Sequence, residues 1–244
     1  MTPREAFTVV DRCARDGEID ELLVELLRHP SPQTEQLEAD PQLKGFIADQ
    51  VAPRLSELTG SPGVIDGMGN LIWRTGGAGI DGLLLMGYAM TFPAAAMKLP
   101  FSGALVDGAP FGVAGRCALG RGACEQKGAL AAMIYAAALV ARVQASLRAP
   151  LVLAVSLAGE TGRHDAAKFV LENDAPGARS AIVGLGTSNR ICLGNKGRID
   201  VEIVVRVLIR TSGVQLADVC DSCHSASPAF TAPNSSRDTA TSVS

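Results

Sequence analysis

Cys124 and Glu125 stand side by side in a glycine-punctuated stretch, Gly120-Arg121-Gly122-Ala123-Cys124-Glu125-Gln126-Lys127-Gly128, that leads straight into an apolar run over 129–143. Glycines let the backbone approach a ligand closely, and the first N–H groups of a following helix favour an anion or a metal-bound carboxylate. A thiolate at such a helix start would be a nucleophile, and His164 is an imidazole that could activate it. Glu160 and His164 are four residues apart, so a helix beginning by Thr161 would set them on one face as a histidine–carboxylate pair. The plainer readings are that Cys124 is a small buried side chain and that His164 is a surface residue at a helix start. Cys220-Asp221-Ser222-Cys223-His224 has the spacing of a c-type haem attachment site. Haem is not expected, because the N-terminus lacks an apolar signal-type core and the motif lies in a Ser-rich tail; as a metal clip, the same residues lack a fourth ligand.

The surrounding elements follow from periodicity. Apolar residues at helical spacing predict a helix over 11–27, which His29-Pro30-Ser31-Pro32 must stop. A second helix is expected over 42–58. Residues 63–74 read as a hairpin or strand pair with Asp66-Gly67 and Gly69-Asn70 as turn chemistry. Leu83-Leu84-Leu85-Met86, bounded by glycines, has the pattern of a strand buried on both faces. A long helix over 129–147 and a buried strand over 151–157 come next, and strand, helix, strand in that order implies a parallel crossover. A helix over 165–173, a third buried strand over 181–183 and a strand over 197–207 belonging to a different sheet complete the pattern. The fold class is therefore α/β, a parallel-containing mixed sheet flanked by helices. From Arg210 to Ser244 apolar periodicity gives way to Ser, Thr, Ala, Pro and Asp, as in a disordered tail.

Composition narrows the function. The 244 residues, 47% hydrophobic and 19% charged, can bury a sizeable core, and a net charge of −3 without a basic run argues against nucleic acid as a partner. No apolar run reaches the length of a bilayer span, so no membrane partner is expected and the expected location is the cytoplasm. The six Cys then read as free thiols.

Leu26 to Pro32, Gly69-Asn70-Leu71, Leu83 to Pro93, Pro100-Phe101-Ser102-Gly103, Gly120 to Gly128, Gly159 to Gly162 and Gly194-Asn195-Lys196-Gly197 occur in an order that resembles the zinc-dependent aminoacylase, acetylornithine deacetylase and succinyl-diaminopimelate desuccinylase family of metallopeptidases. The resemblance covers about residues 20–207. It implies a catalytic α/β domain whose N-terminal part is 1–196, interrupted by an inserted lid or dimerisation domain that begins at 197–209, with 210–244 a disordered or out-of-frame tail. It further implies two zinc ions sharing a water, whose pKa the metals lower while a glutamate moves the proton.

Carried over residue by residue, the resemblance puts Tyr88 at the position of a histidine ligand and Met90 at that of its supporting aspartate. Glu125 falls at the metal-bridging carboxylate, Gly159 at the general base, Glu160 at a metal ligand and Leu185 at a further acidic ligand. A phenol and a thioether are poor substitutes for zinc ligands, and both also read as core or pocket-wall side chains. Glu125 and Glu160 alone would suit a hard cation such as Mg²⁺ or Ca²⁺, with water filling the other positions. The resemblance thus implies a hydrolase acting on an amide bond of a peptide or N-acyl amino acid. The substituted positions imply the alternative, a catalytically inactive or truncated relative with at most a ligand-binding or partner-binding role. The change of character near Arg206 to Arg210 is expected to mark a frameshift or truncation, and a sheet left with unpaired edges is expected to associate as a homo-oligomer.

Overall fold

The computed structural model describes residues 3–15, 17–77, 82–143, 147, 149–159, 163–188 and 190–194. Glu160, the strand expected over 197–207, the tail and the Cys220 to His224 motif lie outside the described residues.

Two helices, α1 (Pro3–Cys13) and α2 (Glu18–Arg28), replace the single helix expected over 11–27. The break falls at Gly17, whose φ of 86° is left-handed and ends any continuous helical path. α3 (Pro41–Gly45) runs through a π-helical turn at Phe46–Val51 into α4 (Ala52–Thr59), matching the helix expected over 42–58. Its start is fixed by Asp40, which accepts the backbone N–H groups of Gln42 at 2.7 Å and Leu43 at 3.2 Å as well as the Thr34 hydroxyl. The Thr34 bond first, then those N–H groups, hold the Asp40 carboxyl below its ordinary value of 3.8 against the opposing effect of burial. Asp40→Ala is expected to lower the unfolding free energy by about 1 kcal/mol at neutral pH in urea titration. Because the folded value is depressed, that difference is present above the ordinary value and shrinks as pH falls through the folded one.

The sheet has five strands: β1 (Val64–Ile65), β2 (Leu71–Gly76), β3 (Gly82–Tyr88), β6 (Pro150–Ser156) and β7 (Ala178–Val183), in the order β1-β2-β6-β3-β7. β1 and β2 form the expected antiparallel hairpin, and β2 runs antiparallel to β6. β3 pairs in parallel with β6 from Leu83 opposite Leu151 to Tyr88 opposite Ser156, and in parallel with β7 on its other side. A mixed sheet with parallel strands flanked by helices is thus the architecture. Between β3 and β6 lie a separate antiparallel ribbon, β4 (Ala104–Asp107) with β5 (Arg116–Leu119), and the long helix α5 (Lys127–Ala141). After β6 comes α6 (Asp165–Phe169), which continues as a π-helical turn over Val170–Asp174.

Alternating strand residues feed two cores. Leu71, Trp73, Leu85, Leu153 and Val155 join α2 to α5 on one face, whereas Ile72, Leu84, Met86, Val152 and Ala154 meet Val170 and Ala175 on the other. That two-sided burial explains why β3 and β6 are continuously apolar. β7 departs from the expectation of a buried strand: it forms the edge of the described sheet, with Ile182 54% and Val183 58% exposed.

Candidate functional site

The carboxyl ends of the parallel strands β3 and β6 converge with the Gly120 to Gly128 loop. β3 ends at Tyr88, and the chain continues through Ala89, Met90 and Thr91 alongside residues 31–33. Ser31 Oγ donates to Ala89 O at 2.7 Å, Thr91 N–H to Ser31 O at 2.7 Å and Gln33 N–H to Thr91 O at 2.7 Å. The proline-rich block therefore docks on the end of β3. Gln126, fully buried ahead of α5, donates through Nε2 to Met90 O and leaves its Oε1 without a protein partner.

Lys127, which the sequence reading passed over, anchors the loop from below. Its side chain is fully buried; Nζ donates to Leu26 O at 2.9 Å and His29 O at 2.5 Å, at the C-terminal end of α2, and lies 4.5 Å from the Phe46 ring centroid. A cation suits a helix C-terminus and an aromatic face. Burial nevertheless brings its pKa down to about 7, with the nearby Glu125 charge acting in the opposite direction. A lysine directly before a helical apolar run, where it cannot reach solvent without leaving the core, was the available signal.

Glu125 is half-buried. Its Oε1 pairs with Arg121 Nη1 at 2.9 Å and its Oε2 is buried without a partner. Cys124 beside it is exposed, which corrects the reading of a small buried side chain. Gly186 closes over both residues: its N–H donates to Glu125 O at 2.9 Å, and a Cβ there would lie 1.8 Å from Cys124 O. Leu185 is 46% exposed.

His164 has a left-handed φ of 60° and immediately precedes α6, which begins at Asp165 rather than by Thr161. His164 therefore stands ahead of α6 rather than on it, while Glu160, its expected partner on a helical face, lies outside the described residues. His164 is exposed, and no hydrogen bond joins it to Cys124 among the described residues.

Met90 is fully buried within the larger core, and Tyr88 packs against that core from its rim. The Tyr88 ring lies over the backbone of Gly159. A Cβ at 159 would stand 2.5 Å from Cγ and Cδ2 and 2.8 Å from Cδ1 of the ring. The phenyl group thus occupies the space from which any side chain at 159 would emerge.

These donors do not fit a dinuclear zinc centre. Glu125 supplies one carboxylate, already shared with Arg121, while Tyr88, Met90, Gly159 and Leu185 offer nitrogen, thiolate or carboxylate to neither metal. Among the described residues no three His, Cys, Asp or Glu side chains come together as a metal-holding group.

The fold is similar to part of the fold of solved M20 family metallopeptidases. In particular, 68% of the chain superposes on 37% of a M20 family metallo-carboxypeptidase of Sulfolobus solfataricus, with a TM-score of 0.54 and 18% identity. Likewise, 74% superposes on 40% of human carnosine dipeptidase 1, with a TM-score of 0.53 and 18% identity. The chain accordingly spans well under half the length of these proteins. No protein-family model and no curated protein sequence matches it. Among the described residues no helix is long and apolar enough to cross a membrane.

Proposed function

We propose that the chain is related to the amide-bond hydrolases of this fold and binds a small amide, peptide or N-acyl amino acid at the carboxyl ends of β3 and β6 without hydrolysing it. The observation that carries this reading is the Tyr88 ring lying over Gly159. By the resemblance, position 159 is where the proton-moving glutamate belongs, and hydrolysis needs a base within hydrogen-bonding reach of the attacking water. Gly159 has no side chain, and the ring leaves no room for one. The site keeps the parts that position a ligand: parallel strand ends, a loop tied down by Lys127, and the Arg121–Glu125 pair.

A second reading, a metal-dependent amidase or peptidase, rests on Glu125 Oε2, a buried carboxylate oxygen without a protein partner. With Glu160 it would suit a hard cation better than zinc.

One experiment separates the two. Purified protein is dialysed against zinc or magnesium, analysed for metal by mass spectrometry, and offered N-acyl amino acids and dipeptides in a calorimeter with product assay. The expected result is saturable binding of at least one compound, no stoichiometric metal and no turnover. Metal-dependent turnover would establish the second reading, and neither binding nor turnover would end both.

A further inference from the structure

β6 ends at Ser156, whose ladder partner is Tyr88 of β3, so strand pairing stops short of Gly159. Order is carried past that point by Asn70, which is fully buried at the end of the β1–β2 turn. Its Oδ1 accepts the Leu157 N–H at 2.8 Å, and its Nδ2 donates to Ala166 O at 3.3 Å in the first turn of α6. Leu157 and Ala166, both fully buried, are the two ends of the connection that contains Gly159. One amide therefore holds both ends, with its acceptor on one and its donor on the other.

Asn70 can do this because its own orientation is fixed. Asp66 Oδ2 accepts Asn70 Nδ2 at 2.7 Å, while Asp66 Oδ1 accepts the N–H groups of Met68, Gly69 and Asn70, each at 2.8 Å. The Asp66 N–H donates back to Asn70 O at 2.9 Å and closes the turn. Turning the amide over would set its oxygen against the Asp66 carboxylate, so the oxygen must face Leu157. The turn also packs on that residue: a Cβ at Gly69 would lie 3.4 Å from Leu157 Cδ2.

Gly159 follows two residues after Leu157, and Ser156 Oγ donates to Ala158 O at 3.0 Å across the stretch between them. A displacement of Leu157 is therefore passed directly to the contact of Gly159 with the Tyr88 ring. We propose that Asn70 is a positioning residue of the site: by fixing Leu157 and Ala166 it sets where Gly159 lies beneath the Tyr88 ring, and through that contact how well the site holds its ligand. The statement about the ligand rests on the binding reading above; the statement about Gly159 does not.

The test is NMR of the full-length protein, well below its thermal unfolding, as wild type, Asn70→Ala and Asp66→Asn/Asn70→Asp. The Gly159 Cα proton that stands in place of a Cβ points into the Tyr88 ring, whose ring current shields it. Its resonance is expected well upfield in the wild type and near its ordinary position in Asn70→Ala. A loss of overall stability alone would not move that resonance in protein that stays folded. Leu157 amide protection should fall at least about tenfold in the same variant. In the double variant the amide and the carboxylate trade places: the new amide donates to the new carboxylate, which still accepts the Leu157 N–H, and only the donor to Ala166 O is lost. Leu157 protection and the upfield Gly159 resonance should both return. An unmoved Gly159 resonance in Asn70→Ala would overturn the proposal, as would a double variant that recovers Leu157 protection without the Gly159 shift. If Asn70→Ala does not fold, Asn70→Ser, whose hydroxyl is too short to span both ends, is judged by the same resonance. A compound that binds the wild type should bind Asn70→Ala about tenfold more weakly and the double variant as before; equal affinity in Asn70→Ala would overturn the link to the ligand. The Gly159 resonance needs no ligand, so it decides the positioning role even where no compound binds and the binding reading fails.

Discussion

Gly159→Ala is expected to destabilise the protein by about 3 kcal/mol, at the upper end of what an inserted methyl group costs in a packed site. Backbone strain does not contribute, since φ at Gly159 lies outside the left-handed region; the whole penalty comes from the Tyr88 ring, 2.5 Å from the new Cβ. The same substitution in a Tyr88→Ala background should cost less than about 1 kcal/mol, giving a coupling energy on the order of 2 kcal/mol in a double-mutant cycle. Urea denaturation of the four proteins measures it, and equal costs in both backgrounds would show that the ring moves aside freely. The consequence for activity is direct. A glutamate placed at 159 cannot reach a substrate while Tyr88 stays, so restoring hydrolysis would need both positions changed together.

Lys127→Met is expected to cost about 2–4 kcal/mol near pH 10.5 and above, where the buried amine keeps its hydrogen bonds without the penalty of a buried charge. Methionine fills a similar volume but donates nothing, so the part-buried His29 O loses this donor and the buried Leu26 O keeps only the long bond from His29 N–H at 3.4 Å. Each such loss costs roughly 1–3 kcal/mol. The pH dependence supplies the sharper test. Since the folded pKa of Lys127 is lowered to about 7 from an ordinary 10.5, the folded protein binds fewer protons than the unfolded chain between those values. Wild-type stability should therefore gain from this group as pH rises through that window, and the methionine variant should not share the gain. The gap between the two proteins is expected to widen with pH. A gap that stays constant would mean that the two carbonyls and the Phe46 ring keep the ammonium charged throughout.

The architecture was legible where one force dominated. Leu83 to Met86 and the apolar run ending at Leu157 could only be strands covered on both faces, and their crossover through a helix made them parallel. Gly17 was not read as a helix break, because the apolar spacing on either side continued in phase and only the left-handed backbone interrupts it. The β4–β5 ribbon escaped because its strands are short and of mixed polarity. For β7, apolar content suggested burial, but composition cannot tell a central strand from an edge. At the site, positions 88 and 159 were each recognisable as substituted, yet their contact joins residues far apart in sequence and no local pattern announces it. Asp66 and Asn70 read as turn chemistry alone, since Leu157 and Ala166 become neighbours of Asn70 only when the sheet forms.

The exposed side chains of β7 bear on how the protein behaves in bulk. Ile182 and Val183 follow one another on the strand at the edge of the described sheet, so they point to opposite sides of the sheet and present apolar surface in two directions at once. With a net charge of only −3 over 244 residues, repulsion between molecules is weak. Concentrated solutions should therefore scatter light increasingly with time, and a charged residue at Val183 should slow that growth without altering the folded core.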